Sequence, residues 1–180
     1  MLYTHNEIKQ KYKSTYQIRK ALANKEIFKI QKGIYSDNPN VHYLSVIMKK
    51  YPAAVISGHT AYYYYNMTDI IPREIIVCTN RNATKIHDKE IKQIRMQDGL
   101  YKIGISTMEY EGSIINIYDK ERLLIDLVRN KNQMGYDLYK EIIASYREIA
   151  DSINMRKIEN YLPHFINADK ILEMLQDEVF

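Results

Sequence analysis

The chain has 180 residues, 26 Lys and Arg against 22 Asp and Glu, and a single cysteine, Cys78. That length supports one or two small domains with a real core, and a composition of 46% hydrophobic and 27% charged residues excludes a disordered chain. One cysteine excludes a disulfide framework and a cysteine-ligated zinc site, and no apolar run nears the roughly 20 residues that span a bilayer.

No basic segment followed by a long apolar stretch opens the chain, so no signal peptide is expected. A cytoplasmic protein with no membrane partner is therefore expected. The net charge of +4 is unevenly spread. Residues 1–36 hold eight basic side chains (Lys9, Lys11, Lys13, Arg19, Lys20, Lys25, Lys29 and Lys32) against Glu7 and Glu26, a net +6. Residues 37–180 are left with −2, and residues 159–180 alone carry −4. Such asymmetry is that of a polyanion-binding head on an ordinary body.

Thr4 and Glu7 have the spacing of a capping box, with Tyr3 and Ile8 placed as a hydrophobic staple, so a helix is predicted from His5 to Tyr12. Ser14 and Gln17 repeat the signal and start a second helix, Thr15 to Asn24. Ile18, Ala21 and Leu22 form its buried stripe, opposite Tyr16, Gln17, Lys20 and Asn24. Two short helices across a tight turn make a helix-turn-helix. The alternation from Ile27 to Tyr35, with a turn at Gly33, reads as a small β-wing. In such a head Ser14, Thr15, Tyr16 and Gln17 face base edges and phosphates, and Lys13, Lys20, Lys29 and Lys32 supply the sequence-independent grip on double-stranded DNA.

The turn cluster Asp37 to Asn40 marks the expected boundary between a head over 1–37 and a body over 38–180. Helical spacing returns at Leu44, Ile47, Met48 and Tyr51. Strands are predicted at 53–57, 74–79, 91–96, 102–110 and 113–118, with a hairpin turn at Glu111-Gly112. Four consecutive tyrosines, Tyr62 to Tyr65, cannot share one helix face, so some must be buried and others must reach a polar edge. From Asp119 the pattern turns helical, with helices near 119–129, 137–149, 154–162 and 168–177. Arg122 and Asp126 are four apart and can pair on one flank of the first of these. The fold class is thus α+β: a small N-terminal winged helix-turn-helix, then a mixed α/β body ending in a helical C-terminal segment.

Enzyme signatures are weak. Ser57-Gly58-His59 has the letters of a nucleophile and its base, but adjacent residues rarely converge on one substrate atom, and the strand-turn-helix nucleophile elbow motif is absent. The five histidines lack metal-ligand spacing, and no phosphate-cradling glycine loop exists. Gly112-Ser113 is not followed by the Asp-x-Asp of a nucleotidyltransferase. Asp69 with Glu90-Ile91-Lys92 is the best alternative, two carboxylates for Mg²⁺ and a lysine to position water in a nuclease. No catalytic residue, metal or cofactor is expected for the preferred reading. A further alternative is a protein-interaction module whose basic head meets an acidic partner.

Three blocks, in this order and spacing, resemble AbiEi-type antitoxins. They are Ile18 to Leu22 with Phe28 to Tyr35, then Val55 to Ala61 with Asp69, Pro72 and Ile75 to Val77, then Ile117 to Arg129. The matching positions include Gly33, Tyr35, Ser57, His59, Tyr118, Asp119, Arg122 and Asp126. Relatives often carry Thr near Leu123 and Cys near Ile125, where this chain has aliphatic residues. The resemblance implies a non-catalytic repressor and antitoxin of a type IV toxin–antitoxin, or abortive phage infection, system. Its head would bind inverted repeats in its own promoter, and its body would counteract a cognate nucleotidyltransferase-like toxin.

Overall fold

Thr4 starts the first helix through reciprocal bonds. Its hydroxyl accepts from the Glu7 N–H at 3.4 Å, and the Glu7 carboxylate accepts from the Thr4 N–H at 2.7 Å. The computed structural model describes residues 1–180 and divides into two units, Met1–Ala54 with Met108–Ile115, and Val55–Thr107 with Asn116–Phe180.

The first unit contains strand β1 (Leu2–Thr4), helices α1 (His5–Tyr12) and α2 (Thr15–Ala23), strands β2 (Phe28–Gln31) and β3 (Ile34–Ser36), and helix α3 (Tyr43–Lys50). Lys13 takes a left-handed conformation (φ 56°) to end α1, and Ser14 caps α2 by accepting from the Gln17 N–H at 3.1 Å. The strands form an antiparallel sheet in the order β1-β3-β2, with Lys32-Gly33 as the two-residue turn and Gly33 at φ +84°. A bulge interrupts β2 between Lys29 and Gln31. Ile8, Ile18, Ala21, Ile27 and Tyr35 form one buried cluster, flanked by Tyr3, Tyr12 and Leu22.

Two features of this unit depart from expectation. The segment around Tyr3, read only as a staple, is a strand paired to β3 through Tyr3 and Tyr35. Helix α3, expected to open the body, packs on β1 and β3 instead. It buries Leu44, Val46 and Ile47, and Lys49 reaches Glu7 at 2.8 Å. The first unit therefore runs on to Ala54 rather than stopping at residue 37. The turn cluster at 37–40 is a bend within it, because an apolar helix face needs a partner more than it needs a sequence boundary.

The Glu7 carboxyl is pulled from 4.5 to about 2, chiefly by the Lys49 ammonium and then by the Thr4 amide and hydroxyl. A lowered folded pKa makes its contribution complete above 4.5 and progressively lost as pH falls toward 2. The stability gap between the protein and Glu7→Gln is expected to hold steady above that window and close within it, as read by urea titrations across pH. Lys49→Ala should move the Glu7 titration seen by NMR back toward 4.5.

The second unit holds β4 (Val55–Ile56), α4 (Gly58–Tyr64), β5 (Ile75–Asn80), β6 (Ile91–Met96), α5 (Asp98–Tyr101), β7 (Ile105–Tyr110), β8 (Ser113–Tyr118), and helices α6 (Lys120–Arg129), α7 (Tyr136–Glu148), α8 (Met155–Tyr161) and α9 (Ala168–Glu178). The tip of the β7–β8 hairpin, Met108–Ile115, clusters with the first unit. Glu111 (φ 47°) and Gly112 (φ 72°) supply the paired positive φ of a two-residue hairpin turn. The sheet order is β6-β5-β4-β8-β7, with β5–β6 and β4–β8 parallel and β4–β5 antiparallel. The crossover from β5 to β6 has no helix. Gln93 stands in for one, donating to the Thr79 hydroxyl and the Thr84 carbonyl and accepting from the Ile86 N–H. No helix is long and apolar enough to cross a membrane.

The strand predicted over 102–110 starts three residues late, because the C-cap of α5 at Lys102 and a left-handed Gly104 (φ +74°) occupy its first part. Within the tyrosine run, Tyr62 is buried and donates to the Leu123 carbonyl at 2.8 Å, while Tyr63, Tyr64 and Tyr65 are half-buried. Helix α6 is buried on every side from Glu121 to Val128. The Arg122–Asp126 pair is accordingly an interior feature and not a flank.

Candidate functional site

The turn and helix start of the head project outward. Lys13, Ser14, Thr15, Tyr16, Gln17, Lys20, Lys29 and Lys32 are all exposed, Tyr16 by 75%. The first turn of α2 contains no acidic residue, so nothing opposes an anion at its N-terminus. The Ser14 oxygen is already committed to the Gln17 amide, which leaves its O–H as the group able to reach a phosphate.

A groove of about 520 Å³ gathers Lys13, Gln17 and Lys20 with Lys11, Tyr12 and Glu26. Lys11, Tyr12 and Glu26 are not among the residues expected to contact DNA. Lys11 donates to the Tyr3 hydroxyl at 3.0 Å, a bond that raises its pKa, and sits 4.5 Å from that ring's centre. Glu26, held by the Asn24 amide at 3.0 Å, places one negative charge on the groove wall. Lys29 lies on β2 and Lys32 on the following turn, outside this groove. Gly33 forms that turn, and Tyr35 is a core residue stacked 6.2 Å from His5.

The remaining motif residues build the body around α6. Asp119 caps the helix by accepting from the Arg122 N–H at 2.9 Å, and its second oxygen accepts from Lys157 at 3.1 Å and Tyr161 at 2.9 Å. Arg122 is fully buried. Its Nε donates to Asp126 at 2.9 Å, its Nη1 to the Leu100 and Ile103 carbonyls at 2.5 and 2.9 Å, and its Nη2 to the Met96 sulfur at 3.2 Å. The guanidinium lies 4.6 Å from the Tyr118 ring and 5.0 Å from Phe165. Arg129 completes the pair by donating to the other Asp126 oxygen at 3.1 Å. Burial pushes the Asp126 carboxyl up, against the pull of both arginines.

Ser57, His59 and Asp126 meet at a cavity of about 310 Å³ in the second unit, a convergence that sequence spacing could not show. They are not wired as a nucleophile, base and acid. Ser57 Oγ has no hydrogen-bond partner, His59 Nε2 faces the Ile70 carbonyl at 2.8 Å, and both Asp126 oxygens are taken by arginine.

The alternative acidic set is not gathered either. No group of three or more His, Cys, Asp and Glu is placed to hold a metal ion. Asp69, Glu90 and Lys92 are exposed, and the groove that Lys92 lines with His59 and Glu74 includes neither Asp69 nor Glu90. Compared with known proteins, the chain matches no protein-family model and no curated protein sequence.

Proposed function

We propose that the chain is a DNA-binding transcriptional repressor and antitoxin of a type IV toxin–antitoxin system active in abortive phage infection. In this reading the first unit carries a winged helix-turn-helix that grips double-stranded promoter DNA, with α2 as the recognition helix and the β2–β3 turn as the wing. The body counteracts a nucleotidyltransferase-like toxin. One observation carries the first role. All eight side chains chosen for DNA contact are exposed on a segment of net +6, around a helix start free of acidic side chains. The antitoxin role rests on the resemblance of the three sequence blocks.

The test is binding to the DNA upstream of the protein's own gene over a salt series. With roughly four phosphates neutralised, log K against log salt should slope at about −3.6. Lys20→Ala with Lys32→Ala should flatten that slope by about 2 and weaken all sequences alike, whereas Gln17→Ala should relax base preference more than affinity. Salt-independent binding, or no preference for the upstream region, sinks the repressor reading. Failure to relieve the growth arrest caused by a neighbouring nucleotidyltransferase-like gene on co-expression sinks the antitoxin reading.

A further inference from the structure

We propose that the cavity behind Ser57 is a binding site for a neutral, planar heterocycle of the nucleobase class. The inference is independent of DNA binding by the head, since every residue that lines the cavity belongs to the second unit.

The starting point is Ser57 itself. It stands where a serine normally caps a helix, directly before α4, yet its side chain makes no capping bond. The residue lines the cavity and is only 4% exposed, and its buried Oγ has no hydrogen-bond partner. Buried polar atoms without partners are rare in folded proteins. A bound molecule offering a donor or acceptor at this point supplies the missing bond.

The walls define the chemistry of that molecule. Ile76, Ile94, Met96 and Leu138 present aliphatic and thioether surface, which suits the flat face of an aromatic ring. No Lys or Arg lines the cavity, so an anionic ligand finds no counter-charge there. The one carboxylate, Asp126, is already paired twice with arginine, so a cation gains little. A neutral ligand is what remains.

The polar groups then select for an edge that carries both donors and acceptors. A carbonyl only accepts, so the contact of His59 Nε2 with the Ile70 carbonyl puts the proton on Nε2 and leaves Nδ1 as an acceptor in the neutral ring. Asn130 gives one Nδ2 hydrogen to the Asp126 carbonyl at 2.8 Å, which leaves its second N–H as a donor and Oδ1 as an acceptor. The His59 acceptor, the Asn130 and Gln133 amides and a hydroxyl that can act either way match a ring edge bearing amino or ring N–H groups next to a ring nitrogen or carbonyl. The volume of about 310 Å³ lies at the small end of ligand pockets, roughly 300–1,000 Å³, and suits a base rather than a dinucleotide.

The experiment uses the full chain with ¹³C-labelled Met and Ile methyls, titrated with adenine, cytosine, indole and adenosine monophosphate. Adenine or cytosine should shift the Met96, Ile76 and Ile94 methyls saturably. Indole, with one N–H and no acceptor edge, and the anionic nucleotide should both bind more weakly. Ser57→Ala should keep its thermal stability, because it removes an unpaired hydroxyl, and should weaken base binding about fivefold, the loss of one ordinary hydrogen bond. Leu138→Phe, which fills the cavity, should abolish the shifts. The proposal is overturned if neither base moves these methyls, if indole or the nucleotide binds as well as the bases, if Ser57→Ala leaves affinity unchanged, or if a crystal grown with adenine shows only water on Ser57 Oγ.

Discussion

Arg122→Ala is expected to destabilise the protein by about 3–5 kcal/mol, read as a lower urea midpoint at unchanged slope. The effect comes from what is left behind. Asp126, 9% exposed, loses the Nε–H donor to Oδ2, and the Leu100 and Ile103 carbonyls lose their partner. The gap also opens beneath the Tyr118 and Phe165 rings that flank the guanidinium. Arg122→Lys should recover little, because a point ammonium cannot serve two carbonyls, a carboxylate and two ring faces from one planar fork. Arg122→Met paired with Asp126→Leu should be far milder than either single change, since it removes both charges together.

Gly104→Ala is the second large effect, expected at about 2–4 kcal/mol from a disfavoured backbone and an overfilled core. The residue sits at φ +74°, where an L side chain is strained. A Cβ there would lie 2.4 Å from the Arg122 Cβ and 3.0 Å from both the Arg122 Cγ and the Asp119 Oδ1. These neighbours cannot yield cheaply. Asp119 is the α6 cap, its own N–H donates to the Gly104 carbonyl at 2.7 Å, and Arg122 is held at four points. Thermal melts of Gly104→Ala, Arg122→Ala and the double variant check this. The double variant should fall short of additivity, because losing Arg122 releases the Leu100–Ile103 loop and lets residue 104 move.

These two positions share a cause. Helix α5, which leads into the loop before β7, buries no residue of its own. The Leu100 and Ile103 carbonyls are tied down from below by a buried cation.

Head and body differ in how much of them could be read from the chain. Both head helices, their caps at Thr4 and Ser14, and the β2–β3 turn at Gly33 lie where the residues place them. So do the Glu111-Gly112 turn and the start of α6 at Asp119. Each of these signals acts over about four residues: a cap bonding the third amide on, a positive φ at a turn, an apolar stripe repeating every three or four positions. Local chemistry of that kind is complete within the segment that carries it.

Other features depend on partners far along the chain, and no short window contains them. Residues 2–4 become a strand because residues 34–36 are there to pair with them. Helix α3 joins the first unit because β1 and β3 offer its apolar face a surface. Arg122 looks like one half of a surface ion pair until packing closes over α6. Ser57, His59 and Asp126 are separated by up to 69 positions and meet only through the β4–β5 strands and α6. The residues alone thus set the local elements and the +6 head, through interactions between near neighbours. The burial of Arg122, the unpartnered Ser57 hydroxyl and the cavity behind it came from tertiary packing, because burial is a property of what surrounds a residue.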